Sequence, residues 1–353
     1  VHPRSRYIPD HGTSPIMALS ITGGTRSPRR SFFASVQTSL LLSVLAVLVV
    51  GSTGCSTDSG TSGAAASPAS EPAGTQLPVS SAYLTQDLWN DGRAEVAFYR
   101  VDRSRDQYGR PNDQSFVVGT YLVKHRFSRE EMSKVTDGSG DSAFKYALFY
   151  EVESGSYQYK RNWVVNARQR DLAPLYASFT SFDWCSNLFH DVQFMDNGEI
   201  LYTKRSDDYG HEDLELDPAA DPRSTAVPVA LIPFVVRGLE LEPENEAAFH
   251  VVDPEQGLIS ATARLDGEES LSTPGGDRVA ERIRVTYAEP VASLVGEETG
   301  TTETYWRGTD PARTLIRMSG DDGRYAMTLV EDLRLAYWNE NLWPMLEKIS
   351  DRP

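Results

Sequence analysis

Cys185 and His190, five residues apart in Asp183-Trp184-Cys185-Ser186-Asn187-Leu188-Phe189-His190-Asp191, are the pair in this chain best suited to nucleophilic chemistry. An imidazole can take a thiol proton once the two groups lie within hydrogen-bond reach, leaving a thiolate to attack. On one extended strand, positions five apart point to opposite faces, so the pair needs a turn between its members. A buried structural cysteine beside a surface histidine is the plainer expectation. A second cluster, Asp207-Asp208-Tyr209-Gly210-His211-Glu212-Asp213, offers carboxylates and an imidazole. Asp207, Asp208 and His211 are its candidate divalent-cation ligands. Their spacing fits no EF-hand or zinc motif, so an acidic, solvated loop is the expected role. His125 and His250 stand alone near apolar runs and read as partly buried structural residues.

Several chemistries lack their usual residues. The chain contains no Gly-x-Ser-x-Gly elbow, Walker loop, Gly-x-Gly-x-x-Gly fingerprint, His-Glu-x-x-His or Cys-x-x-Cys. Serine hydrolase, nucleotide hydrolase, dinucleotide and zinc protease readings therefore lose their support. No cofactor is expected, and an enzyme is the less favoured class. Composition points the same way for nucleic acid. The 353 residues carry a formal charge of −16, while the first 54 contain five arginines and one acid, which leaves twenty net negative charges on the rest. Such a surface repels phosphates, and nucleic acid is excluded as a partner.

The elements that must position any site begin with an export segment. Arg29-Arg30 precede the apolar run Leu40 to Val50, and Gly51-Ser52-Thr53-Gly54 follow it. Charged, apolar and small-residue zones in that order define a signal peptide over 1–54. Eleven residues are too few to cross roughly 30 Å of hydrocarbon, which takes about 20. With Cys55 directly after Thr53-Gly54, the segment resembles a bacterial lipoprotein signal, although Ser52 stands where that family usually has leucine. The resemblance implies lipid on Cys55, a membrane-anchored protein outside the cytoplasm, on the periplasmic face, and, through Ser56, sorting to an outer membrane. Cleavage near Gly54 without lipid is the alternative. Arg29-Arg30 before Ser31-Phe32-Phe33 also resembles a twin-arginine signal, so the export route stays open.

Ser27-Pro28-Arg29-Arg30 resembles the element near the start of Maf-type septum formation inhibitor proteins. Here it precedes a membrane-targeting run and no alternating βα pattern follows, so the match is a decoy.

Residues 55–81 are almost entirely Ser, Gly, Ala, Thr and Pro and read as a flexible tether. From 82 to 353 the dominant signal is alternation, clearest in Arg282-Ile283-Arg284-Val285-Thr286-Tyr287. Similar runs lie at 94–101, 115–125, 145–153, 157–165, 247–252, 302–306, 314–318 and 325–330, with turn residues between many of them. These predict one mostly β domain, an antiparallel barrel or half-barrel/sandwich with a few short helices. Helices are expected over 128–135, opened by Ser128, and over 339–349, with Pro344 in the first turn. The many aromatics, among them Tyr146, Tyr150, Trp163 and Phe179, read first as core and second as the lining of a cavity for a lipid or other apolar ligand.

Thr304-Tyr305-Trp306, Thr314-Leu315-Ile316-Arg317 and the stretch from Tyr325 to Trp338 resemble uncharacterised bacterial envelope lipoproteins, and Phe182-Asp183-Trp184-Cys185-Ser186-Asn187 resembles a Trp-Cys element of that group. The similarity runs from about Trp89 to Trp338 and extends loosely to LolA/LolB-type half-barrels. It implies a fold and no activity. The expected function is binding of an apolar ligand or envelope component. The alternatives are an extracytoplasmic enzyme using Cys185 or a carboxylate cluster, and a structural envelope scaffold.

Overall fold

Strict alternation has built one continuous sheet. The computed structural model describes residues 77–350 apart from 108–109, 155–156, 185, 208–209, 217–224, 254–255, 296–299 and 322. Cys55, Cys185 and Asp208 lie outside the described residues, as do the export segment and most of the tether. The body reaches back to Leu77, five residues before the boundary read from composition: Leu77 is buried, and Val79 bridges to Leu239. Two apolar side chains in a Ser/Pro-rich stretch are enough to fasten it to the core.

Sixteen strands follow in chain order: β1 (Ala94–Gln107), β2 (Arg110–Ser128), β3 (Ser133–Val135), β4 (Asp141–Ser154), β5 (Tyr157–Arg168), β6 (Pro174–Phe182), β7 (Asn187–Phe194), β8 (Ile200–Ser206), β9 (Gly210–Leu216), β10 (Ala226–Pro228), β11 (Glu246–Asp253), β12 (Gly257–Thr273), β13 (Gly276–Tyr287), β14 (Thr302–Gly308), β15 (Leu315–Gly320) and β16 (Tyr325–Leu335). Their order across the sheet is β10-β11-β12-β13-β14-β15-β16-β1-β2-β4-β5-β6-β7-β8-β9, with β3 hung on β2. Every pairing is antiparallel except β10 with β11. The sheet is mostly a meander, and its end strands β9 and β10 do not pair, so it is an open, curved sheet and not a closed barrel. Register shifts at Phe98/Tyr99, Asn166/Ala167, Leu265/Gly267 and Trp306/Arg307 bend it, as bulges do by adding a residue to one strand.

Curvature gives the two faces different partners. The concave face packs on itself around α2 (Ile232–Gly238), whose seven residues are all buried. A helix that is apolar on nearly every side belongs in a core. Phe234 sits among Tyr83, Trp89, Phe144 and Tyr146, with ring centroids 5.2 to 6.4 Å apart. Tyr83 belongs to the short α1 (Ser81–Leu84), capped by the Ser80 hydroxyl. The convex face is covered in part by α3 (Trp343–Ser350), which lays Met345, Leu346 and Ile349 over Val96, Phe98 and Val117. Pro344 is in the first turn of α3, as its fixed φ favours.

The other expected helix is absent. Ser128 ends β2, its hydroxyl accepts the Glu131 N–H at 3.1 Å, and Met132 takes a φ of 47° to enter β3. The same capping hydroxyl that can open a helix closes a tight turn here, because the flanking segments pair as strands. α2 itself escaped the sequence reading, since the apolar run 226–239 lacks any period.

Candidate functional site

His190 lies on the inward face of β7 and is 3% exposed, contrary to the surface position expected for it. Its ring packs against Phe179 and Tyr202, and Nδ1 is 2.9 Å from the Tyr202 hydroxyl. Nε2 is buried with no hydrogen-bond partner. Burial, helped by Lys204, pulls its pKa down to about 4, so the imidazole is neutral near pH 7. The alternation of β7 sends residue 190 inward with Val192 and Phe194, so the turn joining β6 and β7 does not carry His190 on its own tip.

Of the cation candidates, Asp207 and His211 are among the described residues, and each has a partner outside the set. Asp207 accepts from the backbone and side-chain N–H groups of Asn187 at 3.1 and 3.0 Å. His211 instead pairs with Asp213 at 2.8 Å. Among the described residues no group of three or more His, Cys, Asp or Glu side chains is placed to hold a metal ion. His125 bonds Asn166 at 2.8 Å, and burial lowers its pKa.

Sequence patterning did not single out the buried polar groups. Arg237 of α2 forks onto Glu95 with two bonds of 2.7 Å. Arg307 donates to the carbonyls of Val236 and Leu239 at 2.8 and 2.6 Å and so closes the helix end, while its Nε bonds Glu281. Glu303 accepts from the phenol hydroxyls of Tyr287, Tyr305 and Tyr325. Burial raises its pKa, although the three donors pull the other way. All three sets lie in the packed interior and read as core cement.

Open space gathers elsewhere. β2 pairs with β1 from Arg110 to Leu122, but it pairs with β4 only from Phe127↔Asp141 to Val118↔Tyr150. Beyond that rung the two strands part, and a groove of about 1380 Å³ occupies the fissure. Asp113, Ser115 and Val117 of β2, Phe149 and Glu151 of β4, Lys160 and Asn162 of β5, and Thr180 and Phe182 of β6 line it toward the convex side, with Leu346 and Glu347 of α3 as one wall. Gln114, Phe116 and Tyr150 line it toward the concave side. The Phe116 and Tyr150 rings are 5.2 Å apart, and the Arg103 guanidinium stands 5.1 Å over Phe116. Lys160 and Glu151 form an ion pair of 2.7 Å across the rung between β4 and β5.

A glycine shapes the closed end. Gly119 faces Phe149 across the ladder, and a Cβ at 119 would stand 2.4 Å from the ring tip. The ring tip therefore lies over Gly119 of β2. A lone glycine inside the alternating run 115–125 was the one sequence sign of such a close approach.

Beside the groove, exposed aromatics crowd the end of β6 and the start of β7. Trp184 is 84% exposed, Phe182 53% and Phe189 36%. Phe182 and Phe189 share the convex face as diagonal neighbours, because Thr180 is level with Phe189.

No family model, curated protein or solved structure matches the chain. The β2/β4 groove is a lined space with apolar, cationic and anionic walls.

Proposed function

We propose that the protein is a non-catalytic binding protein of the bacterial envelope, exported by residues 1–54 and held at a membrane by lipid on Cys55, with its ligand seated in the β2/β4 groove. The observation that carries this reading is the fissure itself: a lined groove of about 1380 Å³ opening from the convex face of an otherwise tightly packed body. The concave face is filled by α2 and its aromatic neighbours. Walls of mixed character favour an envelope component with both apolar and charged parts, with Phe149 and Phe182 meeting the former and Arg100, Lys160 and Glu347 the latter.

The test is native mass spectrometry of the exported chain purified from its own envelope. A co-purifying mass is expected in the parent and weakened or lost in Asn162→Trp, because Asn162 is exposed within the groove and an indole would obstruct it. A bare parent protein, or an adduct that the substitution leaves unchanged, would overturn the reading.

One observation favours a second reading. The exposed trio Phe182, Trp184 and Phe189 fits a scaffold that docks through the β6/β7 end. Loss of envelope co-purification in Trp184→Ser, with the adduct retained, would move the function there.

A further inference from the structure

The parting of β2 and β4 leaves two strand edges facing a gap. β4 keeps its pairing with β5 as far as Ser154↔Tyr157, and β2 keeps its pairing with β1 as far as Gln107↔Arg110. Asp113–Val117 and Glu151–Glu153 are therefore held as strands by one neighbour each and lack a ladder partner on the side of the fissure. In an antiparallel ladder alternate residues direct both N–H and C=O at a given neighbour, so each edge presents a regular row of backbone donors and acceptors.

The gap is bridged by a side chain that imitates a peptide. The Gln114 carboxamide donates from Nε2 to the Glu153 carbonyl oxygen at 2.9 Å and accepts from Arg103 through Oε1 at 2.8 Å. A carboxamide carries the same donor and acceptor as a backbone amide, so an amide group already stands in the place an intervening strand would occupy. The Phe116 and Tyr150 rings floor the gap on the concave side.

Charge narrows the occupant. Asp113 and Glu153 are exposed at the mouth, Glu347 approaches from α3, and Glu151 is already tied to Lys160. Acids outnumber Arg100, Lys160 and Arg161 in the lining, on a chain whose residues after 54 carry twenty net negative charges. The end strand β9 is different, for it carries His211, Glu212 and Asp213 along an exposed rim, the kind of charged edge that discourages pairing.

We propose that the fissure is a strand-acceptor site, in which an extended basic segment of a partner protein lies between β2 and β4 and hydrogen-bonds to both edges. This rests on the groove being the binding site and specifies what enters it. Main-chain bonds would supply the affinity, alternate side chains of the segment would face the aromatic floor, and the others would meet the acidic mouth.

The probe is a fluorescent, end-blocked hexapeptide alternating Lys and Val, titrated against the full exported chain at low ionic strength. Its two comparison peptides are a copy carrying N-methyl groups on alternate backbone nitrogens and a copy with Glu in place of Lys. Binding at least tenfold tighter than either copy is expected, with slowed hydrogen exchange at amides of 113–117 and 151–153. Asp113→Lys combined with Glu153→Lys should weaken the parent peptide at least tenfold. Equal binding of the N-methylated copy, protection confined to β9 or β10, or no binding overturns the proposal. A non-peptide adduct that Asn162→Trp weakens or abolishes, together with no peptide binding, removes the strand acceptor and leaves the groove as a ligand seat. Neither adduct nor peptide removes both.

Discussion

Arg237 and Glu95 meet in the core through two parallel hydrogen bonds of 2.7 Å that join α2 to β1, one from each of the terminal nitrogens Nη1 and Nη2, and both side chains are almost wholly buried. Removing one partner strands the other in a medium that cannot solvate it, which typically costs about 3–5 kcal/mol. Glu95→Gln should lower the urea midpoint accordingly. Glu95→Met combined with Arg237→Met should recover most of the loss, since no charge is left unpaired. A single variant as stable as the parent would show that water reaches the pair.

Glu303 should make the protein less stable as pH rises. Its folded pKa lies above the ordinary carboxylate value of 4.5, mainly through burial and against the pull of Tyr287, Tyr305 and Tyr325. The folded state then holds the proton longer than the unfolded chain does. Its stabilising effect is complete below the unfolded pKa and is lost as pH climbs through the folded one. Unfolding free energies at pH 4 to 8 should fall more steeply for the parent than for Glu303→Gln. Parallel curves would mean that Glu303 is ionised throughout.

His190 should act in the opposite direction. Burial and Lys204 lower its pKa from 6.5 to about 4, so on acidification the unfolded chain takes up a proton before the folded one. Stability is therefore lost as pH falls from about 6.5 towards 4, and the loss levels off below. An NMR titration should place the His190 ring resonances near the lower value, and His190→Gln should flatten the acid limb. A midpoint near 6.5 would place the ring in contact with water.

Gly119→Val tests the closed end of the fissure. The added Cβ would meet the Phe149 ring at 2.4 Å, so the ring must leave β2 or the strands must separate further. Overpacking of this kind costs about 1–3 kcal/mol. The displaced ring should also reduce occupancy of the groove, seen as loss of the co-purifying mass. Unchanged stability and occupancy would show that Phe149 has another resting place.

Most strands were legible because each has one wet and one dry face. Ile283, Val285 and Tyr287 are buried in β13 while Arg284 and Thr286 are exposed, as alternation requires. β6 to β8 were harder to read. Their outward positions hold residues such as Tyr176, Phe182, Phe189 and Leu201, which blur the period. The fissure could not be read at all. It depends on where two strands stop pairing, and both β2 and β4 keep a strand pattern beyond that point. The Glu303 and Arg237 clusters were equally hidden, because a lone acid or base in a strand or apolar run does not reveal the hydroxyls or carboxylates that another part of the chain brings to it.

The β1–β16 ladder has a consequence for how the chain reaches its native state. Ala94 pairs with Leu335, so the middle of the sheet is made from the two ends of the body. Strands β1 to β9 form one run of neighbours close in sequence, and β11 to β16 form another. Each run can assemble from short-range contacts as it emerges, whereas the seam between them must wait for β16 and close a very long loop. Until then β1 and β16 are open edges at the centre of a half-made molecule, and newly made chain is most exposed to mispairing with its neighbours during that interval.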